Sequence, residues 1–138
     1  MGAMIRVRVD DDETCWAEDL GDGKARIDNI PLYGEFNIDD VVVVLKGIGR
    51  SLPIVVEVVA KVFKKKVFVF YDSVSQFEKL KEVLLRLGCK VEGYREPRGA
   101  TARGMMAVAA QDNVDVFEKA REVGIDFPEH IRATGRIK

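Results

Sequence analysis

Residues 67–124 read VFVFYDSVSQFEKLKEVLLRLGCKVEGYREPRGATARGMMAVAAQDNVDVFEKAREVG, and the order of elements in this stretch decides the fold expected of the chain. Val67–Tyr71 is a short apolar run that suits a strand. Ser75–Leu87 places Phe77, Leu80, Val83, Leu84 and Leu87 on one stripe of a helix. Ser75 and Glu78 have the spacing of a capping box, and Gly88 supplies the left-handed residue that ends the helix. Cys89–Tyr94 and Met105–Ala110 read as two strands around a long polar loop. Asp112 or Asn113 caps a second helix, Val114–Val123, which stops at Gly124. Strand, helix, strand, strand, helix is the core order of a split βαβ, or ferredoxin-like, sandwich. The chain is therefore expected to be α+β, with two helices on one face of an antiparallel sheet over residues 66–138. The tail Ile131–Lys138 would supply the last edge strand. Without it, a second copy is the simplest cover for the open edge, which points to a homodimer.

Upstream, residues 1–65 read as a β-rich region. Met4–Val9 alternates, with Ile5, Val7 and Val9 on one face and Arg6 and Arg8 on the other. Thr14–Leu20 and Lys24–Ile30 flank Gly21-Asp22-Gly23, a hairpin signal, and Pro31 ends the second arm. Val41–Leu45 has no polar face and is expected to be buried on both sides. Ile54–Val62 and Lys66–Tyr71 are expected to pair as a hairpin across Phe63-Lys64-Lys65. These strands suggest a small bent sheet or partial barrel ahead of the ferredoxin-like region.

Composition narrows the function classes. The 138 residues are 47% hydrophobic, enough for a packed core, and 22 basic residues nearly balance 23 acidic ones. That balance gives no global attraction to nucleic acid or to an anionic membrane and argues against both as partners. Cys15 and Cys89 are far apart, no signal-like segment opens the chain, and no apolar run approaches the ~20 residues of a spanning helix. A cytoplasmic protein with reduced thiols is expected.

The chemistry-bearing residues are sparse. His130 is the only histidine, which rules out a multi-histidine metal site. Neither Asp10–Glu13 nor Asp39-Asp40 has calcium-loop spacing, so both read as solvated turns. Trp16, the only tryptophan, reads as a core or inter-layer plug. Lys64-Lys65-Lys66 reads as a solvated hairpin tip. The loop Arg95–Gly104 stands out because it is longer than a hairpin needs. It carries Arg95, Arg98 and Arg103 with Thr101 and two glycines. Guanidinium forks and closely approaching backbone amides are the materials of an anion site.

The segments Glu13-Thr14-Cys15-Trp16-Ala17, Gly21-Asp22-Gly23, Asn29-Ile30-Pro31 and Asp39-Asp40-Val41-Val42 resemble motifs of domain-of-unknown-function family 4265, a family of small bacterial proteins. Leu87-Gly88-Cys89 with Glu92-Gly93, and Ala107-Val108-Ala109, resemble later family segments. The resemblance runs from about Glu13 to about Val123. Asp39 stands where the family pattern has Gly, Leu32 where it has Phe, and Ala110-Gln111 where it has Val-Pro. The family has no established activity, so the resemblance implies no catalytic residues. With no nucleophile–base pair, metal cluster or cofactor fingerprint in the sequence, the first expectation is a non-catalytic binding or regulatory module for a small anion or a protein. An enzyme using carboxylates and arginines around the Arg95–Gly104 loop and a weak nucleic-acid binder using Lys64–Lys66 and that loop are the alternatives.

Overall fold

The computed structural model describes residues 2–49, 51–98 and 103–125 and the backbone of 131–133. The chain forms two compact units, one ending at Phe63 and the other spanning Lys64–Ala133.

The first unit is built from alternating strands. In β1 (Met4–Asp10), β2 (Glu13–Gly21) and β3 (Lys24–Ile27) alternate residues point inward, and Val7, Val9, Cys15, Ala17, Ala25 and Ile27 are all buried. β4 (Val41–Leu45) and β5 (Ile54–Ala60) add Val42 and Val55, and the five strands close a barrel in chain order. Four pairs are antiparallel; the closing pair, β1 with β5, is parallel at Arg8 and Ile54. The β2–β3 turn runs through Gly21, Asp22 and Gly23, all at positive φ (81°, 54° and 74°), which glycine adopts without strain.

The long connection from β3 to β4 is held by side chains rather than by a ladder. The Glu13 carboxylate accepts the amides of Leu32 (2.7 Å) and Tyr33 (2.8 Å). Asn29 Oδ1 accepts the Trp16 amide at 2.8 Å. Asp40 is fully buried, and its Oδ2 accepts the Asn37 amide at 2.8 Å and Lys61 Nζ at 2.7 Å. Asp39, in the position where the family pattern has Gly, has φ 67°. That is the left-handed region, and the conformation explains the glycine.

The second unit is a four-stranded antiparallel sheet in the order β7-β8-β6-β9, from β6 (Lys65–Tyr71), β7 (Lys90–Arg95), β8 (Gly104–Ala110) and β9 (Ile131–Ala133). Helices α1 (Val74–Arg86) and α2 (Val116–Glu122) share one core with it: Leu80, Leu84, Val116 and Ala120 pack with Val67, Val69, Met106 and Val108. Both helices end as expected on left-handed glycines, Gly88 (φ 83°) and Gly124 (φ 88°). The cap of α1 lies two residues earlier than expected and that of α2 two or three residues later. Ser73 and Gln76 form the capping box of α1, not Ser75 and Glu78, and Asp115 caps α2 rather than Asp112 or Asn113. Tyr71 lies against Gly104, its cross-strand partner; a Cβ there would sit 2.4 Å from the ring.

Asp39-Asp40 is not the solvated turn expected, since Asp40 is fully buried, and four further expectations are corrected. The fold class is not an α+β ferredoxin-like sandwich. Strands make up 44% of the structure and helices 17%, and the first unit is a closed five-stranded barrel, not a bent sheet or partial barrel. Second, β5 pairs with β4 and β1, so no hairpin crosses Phe63-Lys64-Lys65. Lys66 is 3% exposed inside β6, and the lysine run is not a solvated tip. Third, only Val42 of β4 is fully buried, because a barrel wall has an outer face. Fourth, Trp16 is 43% exposed and plugs no core. Of the expected tail strand Ile131–Lys138, residues 131–133 pair with β6 and the remainder lies outside the described residues, as does His130.

The ion pair of Asp40 and the Tyr71–Gly104 contact set two stability expectations. Lys61→Ala, which leaves the Asp40 carboxylate in the wall without its ammonium, should cost about 2–4 kcal/mol in urea unfolding. Arg86→Ala, which removes the exposed helical pair with Glu82, should cost no more than about 0.5 kcal/mol. Equal effects would mean the buried pair is not a special contributor. Gly104→Ala should cost about 1–3 kcal/mol and be relieved only in part in Tyr71→Ala, since the added Cβ would meet the ring at 2.4 Å and Pro97 Cδ at 2.9 Å.

Candidate functional site

A cavity of about 270 Å³ opens in the second unit where the first turn of α1 faces β7. Its walls are Tyr71, Val74, Phe77, Glu78, Gly93 and the Tyr94–Glu96 segment. The sequence builds it from three local decisions. The capping box at Ser73 starts α1 so that Val74, Phe77 and Glu78 fall on the side toward β7. Gly93 brings the β7 backbone to Phe77, where even an added Cβ would only touch the ring at 3.6 Å. A register shift between Gly93 and Arg95 then turns the strand end outward.

Aromatic rings dominate one side. Tyr71 and Phe77 lie 5.3 Å apart between ring centroids, tilted by 39°. The Tyr71 hydroxyl donates to the Arg95 carbonyl at 3.0 Å. Burial, and then the nearby Glu96 carboxylate, push the Tyr71 phenol above its ordinary pKa. It is thus a neutral donor whose proton is already spent on backbone. Lys81 Nζ stands 5.7 Å from the Phe77 ring, so that ring already meets a cation.

The charged groups divide unevenly. Arg95 turns away from the cavity mouth: its Nε donates to the Arg103 carbonyl at 2.9 Å and its guanidinium lies 6.0 Å from the Phe70 ring, on the other face of the sheet. The structure thereby brings Arg95 and Arg103 together across the loop. Arg98 is exposed and outside the cavity wall, and Thr101 lies outside the described residues. Glu78 and Glu96 line the cavity, and among the described residues neither is in an ion pair. The sequence reading singled out the loop arginines and missed Tyr71, Phe77 and Glu78. Their signal was weak, since an aromatic on a helical stripe ordinarily marks core.

Cys89 is buried in the helix–sheet core and Cys15 inside the barrel. Burial raises the Cys89 thiol pKa, with Lys65 pulling the other way, so this thiol is held as a packing group. Among the described residues no group of three His, Cys, Asp or Glu could hold a metal ion, and no helix is long and apolar enough to cross a membrane.

No curated protein matches the sequence. A solved structure described as a hypothetical protein from Neisseria gonorrhoeae is similar in fold, with a TM-score of 0.53 at 12% identity, covering 99% of this chain and 96% of that one. The motif residues Glu13, Asn29 and Asp40 hold the barrel connection. A family model that includes them matches residues 13–123, and the chain belongs to the family described as a domain of unknown function, DUF4265.

Proposed function

We propose that this protein is a non-catalytic ligand-binding module, and that its ligand is a small molecule with an aromatic or apolar body and a positively charged group. The observation that carries this reading is the cavity itself: the Tyr71 and Phe77 rings beside Glu78 and Glu96, whose charges no ion pair among the described residues offsets. A ring face and a carboxylate both attract a cation, and both are too open here for strong binding. The spent phenol of Tyr71 supports binding over chemistry, because it offers no base or nucleophile at neutral pH. The volume suits a fragment-sized ligand, with a dissociation constant of about 1 mM for the simplest probes.

A second reading keeps the loop as an anion site, with Arg98 and Arg103 as the contacts beside Arg95 and Thr101. What favours it is the Arg95–Arg103 hydrogen bond, which draws the two ends of the loop together.

Matched probes separate the two. Phenethylamine and phenylacetate share a body and differ in the sign of charge. In NMR titrations phenethylamine should shift the amides of Phe77, Gly93 and Tyr94, and phenylacetate should not. Glu78→Gln with Glu96→Gln should weaken that binding about five- to tenfold, with weaker binding at high salt. If phenylacetate or phosphate binds instead and Arg98→Ala with Arg103→Ala abolishes it, the anion reading replaces the cationic one. If no probe shifts these amides, the cavity is not the site.

A further inference from the structure

The outer face of the barrel at β1, β2 and β3 carries a second surface of a different character. Trp16 stands at its centre, 43% exposed. Cross-strand pairing places Arg6 opposite Trp16, Arg8 opposite Thr14 and Arg26 opposite Glu18. The Arg6 guanidinium lies 5.0 Å from the indole centroid and donates to the Thr14 hydroxyl. Arg8 donates to the Asp11 carbonyl at 3.2 Å. Of these arginines, only Arg26 meets a carboxylate among the described residues, Glu18 at 2.7 Å. Lys24 adds a fourth cation on the same outward register.

This distribution is not that of the unit as a whole. Residues 1–63 carry 7 basic and 12 acidic side chains, yet four of the seven cations lie on this one face, against Asp10, Glu18 and Asp28. An acidic unit with a local cationic face around an exposed indole is complementary to a partner that is anionic and has flat rings to stack. A sheet face with one projecting indole reaches an unpaired base and not a base inside a duplex.

We infer that the β1–β3 face binds single-stranded nucleic acid, with one base stacked on Trp16 and the backbone phosphates met by Arg6, Arg8 and Lys24. Arg6 holds the indole from its cross-strand position, so the platform is set before the strand arrives. Three phosphate contacts to a single strand release counterions, and log Kd should rise with log salt concentration with a slope of about 2.

Trp16 is the only tryptophan, so its fluorescence reports this face alone. The full chain is titrated with a twelve-residue oligothymidylate, its duplex, heparin and polyglutamate. The single strand should quench Trp16 emission in a salt-dependent manner, with the other three at least tenfold weaker. By anisotropy of a labelled oligothymidylate, Trp16→Ala should lose about tenfold or more in affinity, Trp16→Phe should keep part of it, and Arg8→Ala should lower the salt slope by about 0.7. Circular dichroism checks that each variant is folded; Trp16→Phe and Arg8→Ala carry the test if Trp16→Ala is not. Absence of quenching overturns the inference. So does duplex, heparin or polyglutamate binding as tightly as the single strand, or a folded Trp16→Ala protein that binds like wild type.

Discussion

Asp40 puts a carboxylate with no exposure to water at the point where the chain re-enters the barrel wall, and the first unit depends on its being matched. A buried charge is costly unless a counter-charge and hydrogen bonds replace its hydration. Here the Asn37 amide and the Lys61 ammonium both reach its Oδ2. Lys61 arrives because Val41 pairs with Ala60, so the residue before β4 and the residue after β5 are held side by side. The register of one hairpin thus solves the electrostatics of the connection before it. Glu13 and Asn29 act in the same sense, each taking up backbone amides that a ladder would otherwise satisfy. Three of the residues that mark the family are therefore committed to holding residues 28–40 in place.

The second unit uses glycine where the first uses charge. Gly104 lets the Tyr71 ring lie on the neighbouring strand, and its hydroxyl then reaches the Arg95 carbonyl. Gln76 links this region to the end of α2 through the Gly124 carbonyl at 3.2 Å, while its own Oε1 accepts the Asp72 amide at 2.8 Å. Cap, strand end and ring are tied into one corner, and the cavity is the space they leave. The Tyr71 and Phe77 rings and the Gly93 backbone among its walls have few rotamers to lose, which lowers the entropic cost of ligand binding on that side.

The sequence was most legible where the signal is local. The stripe of α1, the glycines after both helices and the inward alternation of β1 could be read from spacing alone. The cap of α1 was displaced because Ser73–Gln76 and Ser75–Glu78 both satisfy the same four-residue pattern, and only tertiary packing selects between them. Barrel closure was illegible because β1 and β5 are distant in sequence and their pairing leaves no local mark. The lysines at 64–66 looked like a turn, although Lys66 lies within a strand. Trp16 was recoverable: with Cys15 and Ala17 inward, a residue between them on a strand must face out. The cavity was not recoverable, since it depends on the meeting of α1 with a register shift in β7.

The closing seam of the barrel has its own consequence. Each antiparallel neighbour is paired over several residues, but β1 and β5 meet at a single bridge, Arg8 with Ile54, supported by the Arg8 amide on the Pro53 carbonyl at 2.8 Å. A closed ring of strands opens where its ladder is shortest. Amide hydrogen exchange along this seam would then proceed by local parting of β1 from β5, at a lower free energy than global unfolding, while the β2–β3 and β4–β5 hairpins keep their protection.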